Sequence, residues 1–279
     1  MSSLCVVILT YNEEIHIERC LKSVLDISSR IIVVDSLSTD GTKEIVEKFD
    51  VVDFIPKEWL GCQSDQLNWL LDNLEIREDW ILRLDADEYL LPQLKDEIAD
   101  ALKELNFNVN GFFLKRRVYF MDRWIRFGGY YPVLLLRLWR NGKGFWDGAK
   151  MDEHLILHCG TTRVLKNDFV DHNLNDLSWW ISKHNDYSSR EVLNYFSHKE
   201  NNDKNIFISN GNWEKNSRVK RKYNTYYRLP IVYRSIFYFI YRYFFLLGFR
   251  DGYRGFIWHF LQGLWYRLIV DVKILQKKK

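Results

Sequence analysis

Three carboxylates stand within four positions of the chain, at Asp85, Asp87 and Glu88. They follow the short apolar run 80–84, which is bounded by polar residues and predicts a buried strand. In open α/β sheets, ligands bind outside the carboxyl ends of the strands, where these acids fall. Carboxylate oxygens suit Mg2+ or Mn2+, especially when phosphates complete the coordination shell. A solvated strand-to-helix turn would look the same, so other motifs must decide between the two interpretations.

Two earlier apolar runs, 4–10 and 30–35, also end on polar residues. Tyr11 and Asn12 follow the first run, and the second ends on Asp35 before the polar loop 36–42. Strands alternate with helical patterns at about 30 residues per unit, which predicts βαβ crossovers and a parallel sheet. The three strand ends should therefore converge and form a site for a nucleotide diphosphate.

The sequence lacks two common nucleotide-binding motifs. No G-x-G-x-x-G follows the first strand, and no G-x-x-x-x-G-K-[ST] occurs anywhere. A nucleotide would instead have its base held by Tyr11 and Asp35, and its pyrophosphate held by a metal on Asp85 and Asp87.

The charge is divided unevenly along the chain. Residues 215–279 contain 15 basic and 2 acidic residues, whereas residues 1–214 contain 25 basic and 35 acidic residues. We therefore predict a catalytic domain over 1–224 and a separate C-terminal helical extension over 225–279. The four scattered cysteines and a first apolar run without a basic leader indicate a reducing, cytoplasmic location.

The C-terminal extension is rich in aromatic residues over 231–249 and 252–275. Arg234 and Arg242 interrupt the first stretch and Arg250 closes it, and these three arginines cover about half of a helical wheel. This pattern favours an interfacial helix that lies on an anionic membrane surface with its arginines toward the headgroups. An aromatic core helix is the alternative, and a membrane-spanning helix is disfavoured by the charges.

Three segments together resemble family 2 glycosyltransferases of the GT-A fold: 6–13 (VVILTYNE), 33–42 (VVDSLSTDGT) and 84–88 (LDADE). Their order and spacing match as well. The segments 152–155 (DEHL), 171–172 (DH) and 183–187 (KHNDY) resemble the bacterial branch that builds lipopolysaccharide core and surface polysaccharides, including β-1,4-glucosyltransferases. The resemblance implies a Rossmann-like, mostly parallel central sheet flanked by helices.

The resemblance also assigns roles to residues. It implies nucleotide-sugar binding by the residues of the three strand-end motifs: Thr10, Tyr11, Asn12, Glu13, Asp35, Asp85 and Ala86. It implies that Mn2+ or Mg2+ is bound by Asp87, with Asp85 as a second ligand. Because the family inverts the anomeric centre in a single displacement, it requires a general base, for which Glu153 is the best match and Asp152 is next.

Some features depart from the family pattern or leave roles open. Ser36 stands where many relatives have a second Asp, and the Q-x-x-R-W signature of processive synthases is absent, so a single transfer is expected. His172 could reach the metal or a phosphate, although a structural histidine is favoured. Lys183 and the pair 116–117 (RR) could neutralise phosphate or simply be solvated.

The sequence therefore predicts an inverting, metal-dependent, non-processive hexosyltransferase. Its partners would be a nucleotide-sugar donor, most plausibly a UDP-sugar, a lipopolysaccharide, O-antigen, capsule or other glycolipid acceptor, and an anionic membrane surface. No nucleic-acid partner is expected, and the protein would be peripheral on the inner face of the cytoplasmic membrane. The alternatives are a sugar-phosphate nucleotidyltransferase and a non-catalytic membrane adaptor with a transferase-like domain.

Overall fold

A computed structural model describes residues 2–103, 108–147, 154–200 and 226–278. The strands are β1 (Leu4–Thr10), β2 (Arg30–Asp35), β3 (Val52–Pro56), β4 (Trp80–Asp85), β5 (Glu88–Leu90), β6 (Val109–Phe120), β7 (Arg123–Ile125), β8 (Val133–Arg140), β9 (Gly144–Trp146), β10 (Leu155–Leu157) and β11 (Thr161–His172). The α-helices are α1 (Ile17–Lys22), α2 (Thr42–Val46), α3 (Gln63–Asn73), α4 (Pro92–Lys103), α5 (Leu177–Glu200), α6 (Tyr233–Ile240), α7 (Gly252–Trp258) and α8 (Tyr266–Lys277). Short 3-10 segments at Tyr226–Arg228 and Gly248–Asp251 and π-helical segments at Tyr241–Phe245 and His259–Trp265 complete the described helical structure.

The described residues group into two compact units. The first contains the described residues of 2–122 and 132–174, and the second contains the described residues of 123–131 and 175–278. Helix α5 therefore belongs with the C-terminal helices. The boundary predicted between residues 224 and 225 lies outside the described residues.

The first unit contributes eight strands to the central sheet, in the order β3-β2-β1-β4-β8-β6-β11-β5. The pairs β3–β2, β2–β1 and β1–β4 are parallel, which confirms the βαβ prediction for this half of the sheet. Beyond β4 the sheet is mixed, because β8 runs antiparallel to both of its neighbours and β6 pairs with β11 in parallel. The long strand β11 and the short strand β5 were not predicted from the sequence.

Apolar side chains cover both faces of the central strands. Every residue of β1 is buried, as expected for a strand between two layers of helices. Val6 and Ile8 pack into one apolar cluster together with residues of α1 and α4. Cys5 and Val7, on the opposite face, pack into a second cluster with residues of α3. Because alternate residues of β1 pack into opposite apolar clusters, the register of β1 in the sheet is fixed. Its last residue, Thr10, is thereby held at the carboxyl edge of the sheet, where the candidate site lies.

Two inward-pointing arginines connect separate segments of the second unit. Arg234 is fully buried and its guanidinium bonds to Asp271, with 2.7 Å between Nε and Oδ1. Arg242 donates to the carbonyl of Gly128 at 2.5 Å, and its guanidinium stacks over the ring of Tyr130. The expectation that Arg234 and Arg242 face lipid headgroups is therefore wrong, because both side chains turn inward and bind groups of the same unit.

Candidate active site

The ends of β1 and β2 are joined by the buried carboxylate of Asp35. Thr10 lies opposite Asp35 in the parallel ladder, and its hydroxyl donates to Asp35 Oδ1 at 2.8 Å. The amide of Ser38 donates to Asp35 Oδ2 at 2.7 Å, and the Ser38 hydroxyl donates to Oδ1 at 2.5 Å. In the loop between Asp35 and Ser38, Leu37 adopts a positive φ of 63°, an uncommon backbone conformation for a bulky residue. Asp35 therefore fixes the shape of its own loop from inside.

Asn12 connects the same two loops at the surface. Its backbone φ is 55°, a left-handed conformation that Asn tolerates better than most residues. Its amide N–H donates to the Ser38 hydroxyl at 2.8 Å, and its side-chain Oδ1 accepts from the amide of Thr39 at 2.8 Å. The neighbouring ring of Tyr11 is 59% exposed, so it is free to stack on a planar ligand. The two loops form one preorganised surface with an aromatic face.

Glu13 has a structural partner. Its Oε2 lies 2.5 Å from Nδ1 of the fully buried His16, whose Nε2 accepts from the amide of Leu174 at 2.8 Å. The amide of Glu13 donates to the hydroxyl of Thr42 at 2.9 Å. Glu13 is therefore tied to His16 through its side chain and to Thr42 through its backbone, and its contact with a nucleotide-sugar stays a prediction.

The acidic turn after β4 begins with a carboxylate held by two arginines. Arg83 Nη2 lies 2.5 Å from Asp85 Oδ1, and Arg137 Nη2 lies 3.1 Å from Asp85 Oδ2. Ala86, the next residue, is buried and packs in the apolar core. Each oxygen of Asp85 therefore has a cationic donor.

Glu88 closes the turn from inside the protein. It is almost completely buried, its Oε2 accepts from the Asp85 amide at 2.9 Å, and its Oε1 lies 2.7 Å from Arg137 Nη2. Burial raises the pKa of Glu88 to about 8 even though Arg137 favours the ionised form. The sequence alone indicated no role for Glu88 and did not single out Arg137. A lone arginine in the apolar run 133–139 was the available signal, since a buried arginine needs an acidic partner.

Asp87 is anchored through its backbone. The Asp87 carbonyl accepts from the amide of His172 at 3.1 Å and from Arg19 Nη2 at 3.3 Å. Its carboxylate Oδ2 accepts from Asn173 Nδ2 at 3.0 Å. Asn173 is a neutral donor, whereas the carboxylate of Asp85 is bound by two arginines. Of the two aspartates of the turn, Asp87 is therefore the one without an arginine on its carboxylate among the described contacts.

His172 lies between a cation and an exposed acid. Arg19 Nη1 lies 3.3 Å from His172 Nδ1, and His172 Nε2 lies 3.0 Å from Asp122 Oδ1. Because arginine only donates, Nδ1 accepts and Nε2 carries the proton. Burial and the charge of Arg19 lower the pKa of His172, which favours the neutral form of the ring. These contacts give His172 a role in holding the end of β11.

The other basic residues considered above also have partners. Arg116 pairs with Asp171 at 3.3 Å, and Arg117 pairs with Asp168 at 2.6 Å. In the second unit, Lys183 lies over the ring of Trp179, 4.4 Å from its centroid. The arginine pair is therefore neutralised by acids of β11.

Both candidates for the general base, Asp152 and Glu153, lie outside the described residues. The residue that follows them, His154, is described: its amide donates to Asp147 Oδ1 at 3.3 Å, and its carbonyl accepts from the amide of Asp147 at 3.1 Å. The assignment of the base stays a prediction.

The chemistry of the acidic turn fits a hard divalent cation. In the described part of the chain, no three His, Cys, Asp or Glu side chains are arranged to enclose a metal ion. A metal here would take one or two protein carboxylates and complete its shell with water and substrate phosphates, as Mg2+ commonly does. The hard oxygen donor of Asp87 suits such an ion.

The arrangement of the sheet and its flanking helices is the GT-A fold, as the similarity to a solved mannosyltransferase shows. A model of the family "Glycosyl transferase family 2" matches residues 5–172. The chain belongs to glycosyltransferase family 2.

Two curated relatives and one solved structure illustrate the similarity. An uncharacterized glycosyltransferase of Rickettsia bellii is 42% identical over 91 residues, 33% of this chain and 30% of that protein. The lipopolysaccharide core biosynthesis glycosyltransferase LpsC of Rhizobium meliloti is 30% identical over 159 residues, 53% of this chain and 55% of that protein. The chain thus covers about a third to a half of these relatives. The mannosyltransferase PcManGT of Pyrobaculum calidifontis, solved with GDP-Man and Mn2+, is similar over 100% of this chain and 88% of its own, with a TM-score of 0.54 and 16% identity.

Proposed function

We propose that this protein transfers a single hexose from a nucleoside diphosphate sugar, a UDP-sugar, to a glycolipid acceptor with inversion at the anomeric carbon. The observation that carries the proposal is the position of three structured loops at the carboxyl ends of the adjacent strands β2, β1 and β4. The similarity to LpsC, a lipopolysaccharide core biosynthesis glycosyltransferase, supports a lipopolysaccharide acceptor, with O-antigen, capsule or another glycolipid as the alternatives.

The donor would bind across the three loops. The exposed ring of Tyr11 would stack on the base, and the surface organised by Asp35 and Asn12 would hold the nucleoside. Asp87 would hold Mn2+ or Mg2+, an ion that neutralises charge developing on the leaving diphosphate. The PcManGT structure, which contains GDP-Man and Mn2+, is consistent with this arrangement.

Transfer requires one proton to move. The acceptor hydroxyl attacks the anomeric carbon as the bond to the diphosphate breaks, and the hydroxyl proton passes to a carboxylate on the acceptor side. We assign this base to Glu153, with Asp152 as the second candidate. The exchange Glu153→Gln should preserve donor binding and reduce turnover by at least about a hundredfold. Normal turnover of that variant would refute the assignment.

A panel of UDP-, GDP- and dTDP-sugars tests the donor. With Mn2+ or Mg2+ present, at least one sugar nucleotide should raise the melting temperature and be hydrolysed slowly without acceptor. Asp87→Asn should abolish the metal-dependent part of binding, whereas Asp65→Asn, which changes an acid in the first turn of α3, should not. Failure of every donor to bind or be hydrolysed would contradict the proposal.

The two alternative functions are less well supported. A nucleotidyltransferase needs a basic, Gly-rich loop after β1 for a triphosphate, and here the loop carries Glu13 and Glu14. A non-catalytic adaptor would not need the acidic turn, yet Asp85, Asp87 and Glu88 are all present and organised.

We also propose that the second unit binds the anionic inner surface of the cytoplasmic membrane. No described helix combines the length and the apolar character needed to cross a bilayer. The segment 233–245 nevertheless presents an outward row of exposed apolar side chains: Tyr233, Ile236, Phe237, Ile240, Tyr241, Phe244 and Phe245. Its polar residues Arg234 and Ser235 are buried instead. A helix whose apolar face points outward suits a bilayer interface better than water.

Charge favours a lipid surface as the partner. Over residues 226–278, both acids (Asp251 and Asp271) are buried, and the exposed charged side chains are all basic: Arg228, Arg250, Lys277 and Lys278. An anionic headgroup layer complements this combination of cations and aromatic rings.

Vesicle flotation of the full chain tests the membrane proposal. The double exchange Phe244→Ser/Phe245→Ser should release the protein from vesicles containing anionic lipid, and Val51→Ser, at an exposed apolar site of the first unit, should not. If the double variant floats with the vesicles as the unaltered protein does, the exposed apolar side chains of 233–245 do not bind the membrane and the proposal is contradicted.

A further inference from the structure

Arg137 connects the two ends of the acidic turn. It lies on β8, next to β4, and is only 4% exposed. One nitrogen, Nη2, contacts both Asp85 Oδ2 at 3.1 Å and Glu88 Oε1 at 2.7 Å. These two acids are the first and last residues of the turn, and Asp87 lies between them.

Other contacts hold the groups on either side of the bonds that Arg137 makes to Asp85 and Glu88. Arg83 holds the other oxygen of Asp85 and is itself fixed by Gln63 Oε1 at 2.9 Å and by the ring of Trp146. Glu88 Oε2 accepts from the Asp85 amide, which closes the turn through the backbone. Arg137 thus bonds to the carboxylates at both ends of the turn.

Electrostatics explains why a cation is needed there. Asp85 Oδ2 and Glu88 Oε1 both lie within 3.1 Å of one nitrogen, Arg137 Nη2, so negative charges on the two carboxylates disfavour each other. The effect is strongest on Glu88, which is almost completely buried, whereas the Asp85 side chain is partly exposed. The Arg137 guanidinium replaces this repulsion with two charge-assisted hydrogen bonds. Without it, Asp85 would keep Arg83 but lose the contact that ties its side chain to β8.

We propose that Arg137 is a positioning residue: by binding Asp85 and Glu88 together, it sets the conformation of residues 85–88 and thereby orients Asp87 toward the metal and the donor diphosphate. Asp85 then serves as part of this scaffold and Asp87 as the direct ligand. The inference rests on the proposed role of Asp87 in donor binding.

Three variants separate positioning from simple support of the fold. Arg137→Met removes the link and leaves Glu88 without its cation. Arg137→Lys keeps a charge but cannot reproduce the planar guanidinium. In Arg137→Met/Glu88→Gln the buried acid is also removed, while the carboxamide oxygen of the new side chain can still accept from the Asp85 amide. Arg30→Met, which breaks an ion pair with Asp53 at the amino end of β2, is the matched control.

The measurements are the melting temperature and the dissociation constant of UDP with Mn2+ and with EDTA. We expect Arg137→Met to lower the melting temperature and to weaken Mn2+-dependent UDP binding by about tenfold to a hundredfold, the loss of a charged hydrogen bond. The double variant should regain thermal stability but not UDP affinity with Mn2+. Arg137→Lys should be intermediate, and Arg30→Met should bind UDP normally.

Each outcome has one meaning. If the double variant regains both stability and UDP affinity, or if Arg137→Lys binds as the unaltered protein does, Arg137 only neutralises Glu88 and the inference is overturned. Equal weakening with Mn2+ and with EDTA also overturns it, since the effect would then not pass through the metal ligand. If the unaltered protein shows no Mn2+-dependent binding of UDP, the proposed donor site itself fails.

Discussion

The exchange Arg234→Met tests the inward orientation of the C-terminal arginines. The Arg234 guanidinium bonds to Asp271 Oδ1 through Nε and Nη2 in a fully buried pair. Asp271 Oδ2 also accepts from the Val232 amide at 3.1 Å and the Ser235 hydroxyl at 2.9 Å. Removing one partner of a buried ion pair leaves an uncompensated charge, which costs about 3–5 kcal/mol. We expect Arg234→Met to lower the free energy of unfolding by this amount.

A matched exchange at the surface should behave differently. Arg250 is exposed, and Arg250→Met should change the free energy of unfolding by less than about 0.5 kcal/mol. Replacing both partners, as in Arg234→Met/Asp271→Leu, should recover part of the loss because no charge stays buried. The recovery is partial since Val232 and Ser235 lose their acceptor.

Urea unfolding followed by tryptophan fluorescence measures these differences. In the second unit, the ring centroid of Trp180 lies 6.3 Å from that of Trp258 and 6.0 Å from that of Trp265, so these rings report on its packing. A loss below about 0.5 kcal/mol for Arg234→Met, combined with weaker vesicle flotation, would refute the inward orientation and restore the interfacial arginine hypothesis.

Three further predictions concern pH, packing and the donor. Burial and the charge of Arg242 lower the pKa of His259 from 6.5 to about 4. The unfolded chain therefore takes up a proton at this residue more readily than the folded chain, and the free energy of unfolding falls as the pH drops from about 6.5 to 4. His259→Leu should remove about 2 kcal/mol of the decrease in the free energy of unfolding between pH 7.5 and pH 5, measured by urea unfolding. Gly248→Ala would place its Cβ 2.5 Å from the His259 ring and should cost about 1–3 kcal/mol, whereas Gly263→Ala, with 3.8 Å to its nearest neighbour, should be tolerated. Tyr11→Ala should leave the melting temperature unchanged because the ring is exposed, but should raise the dissociation constant of UDP about tenfold, measured by calorimetry.

Local sequence patterns were sufficient for the catalytic half of the sheet. Continuous apolar runs predicted β1, β2 and β4, and the polar residues after each run predicted the loops of the candidate site. These features depend on neighbours in sequence, since a strand buried on both faces must be apolar throughout. The strand β11 was missed because irregular pairing with β6 between residues 164 and 168 interrupts the two-residue alternation.

Contacts between distant residues decided what the sequence could not. Arg137 and Glu88 are 49 positions apart, and only the pairing of β8 beside β4 brings them together. The same holds for Arg234 and Asp271, which are 37 positions apart. The helical wheel of 231–249 predicted that its arginines lie on the outward face, because charged side chains are usually solvated. A buried acid on another helix reversed that choice: an ion pair satisfies the arginine inside the protein, and the aromatic side chains of the same helix are left outside. The sequence by itself determined which strand ends carry polar chemistry, whereas the tertiary structure decided which charges are paired and which faces are exposed.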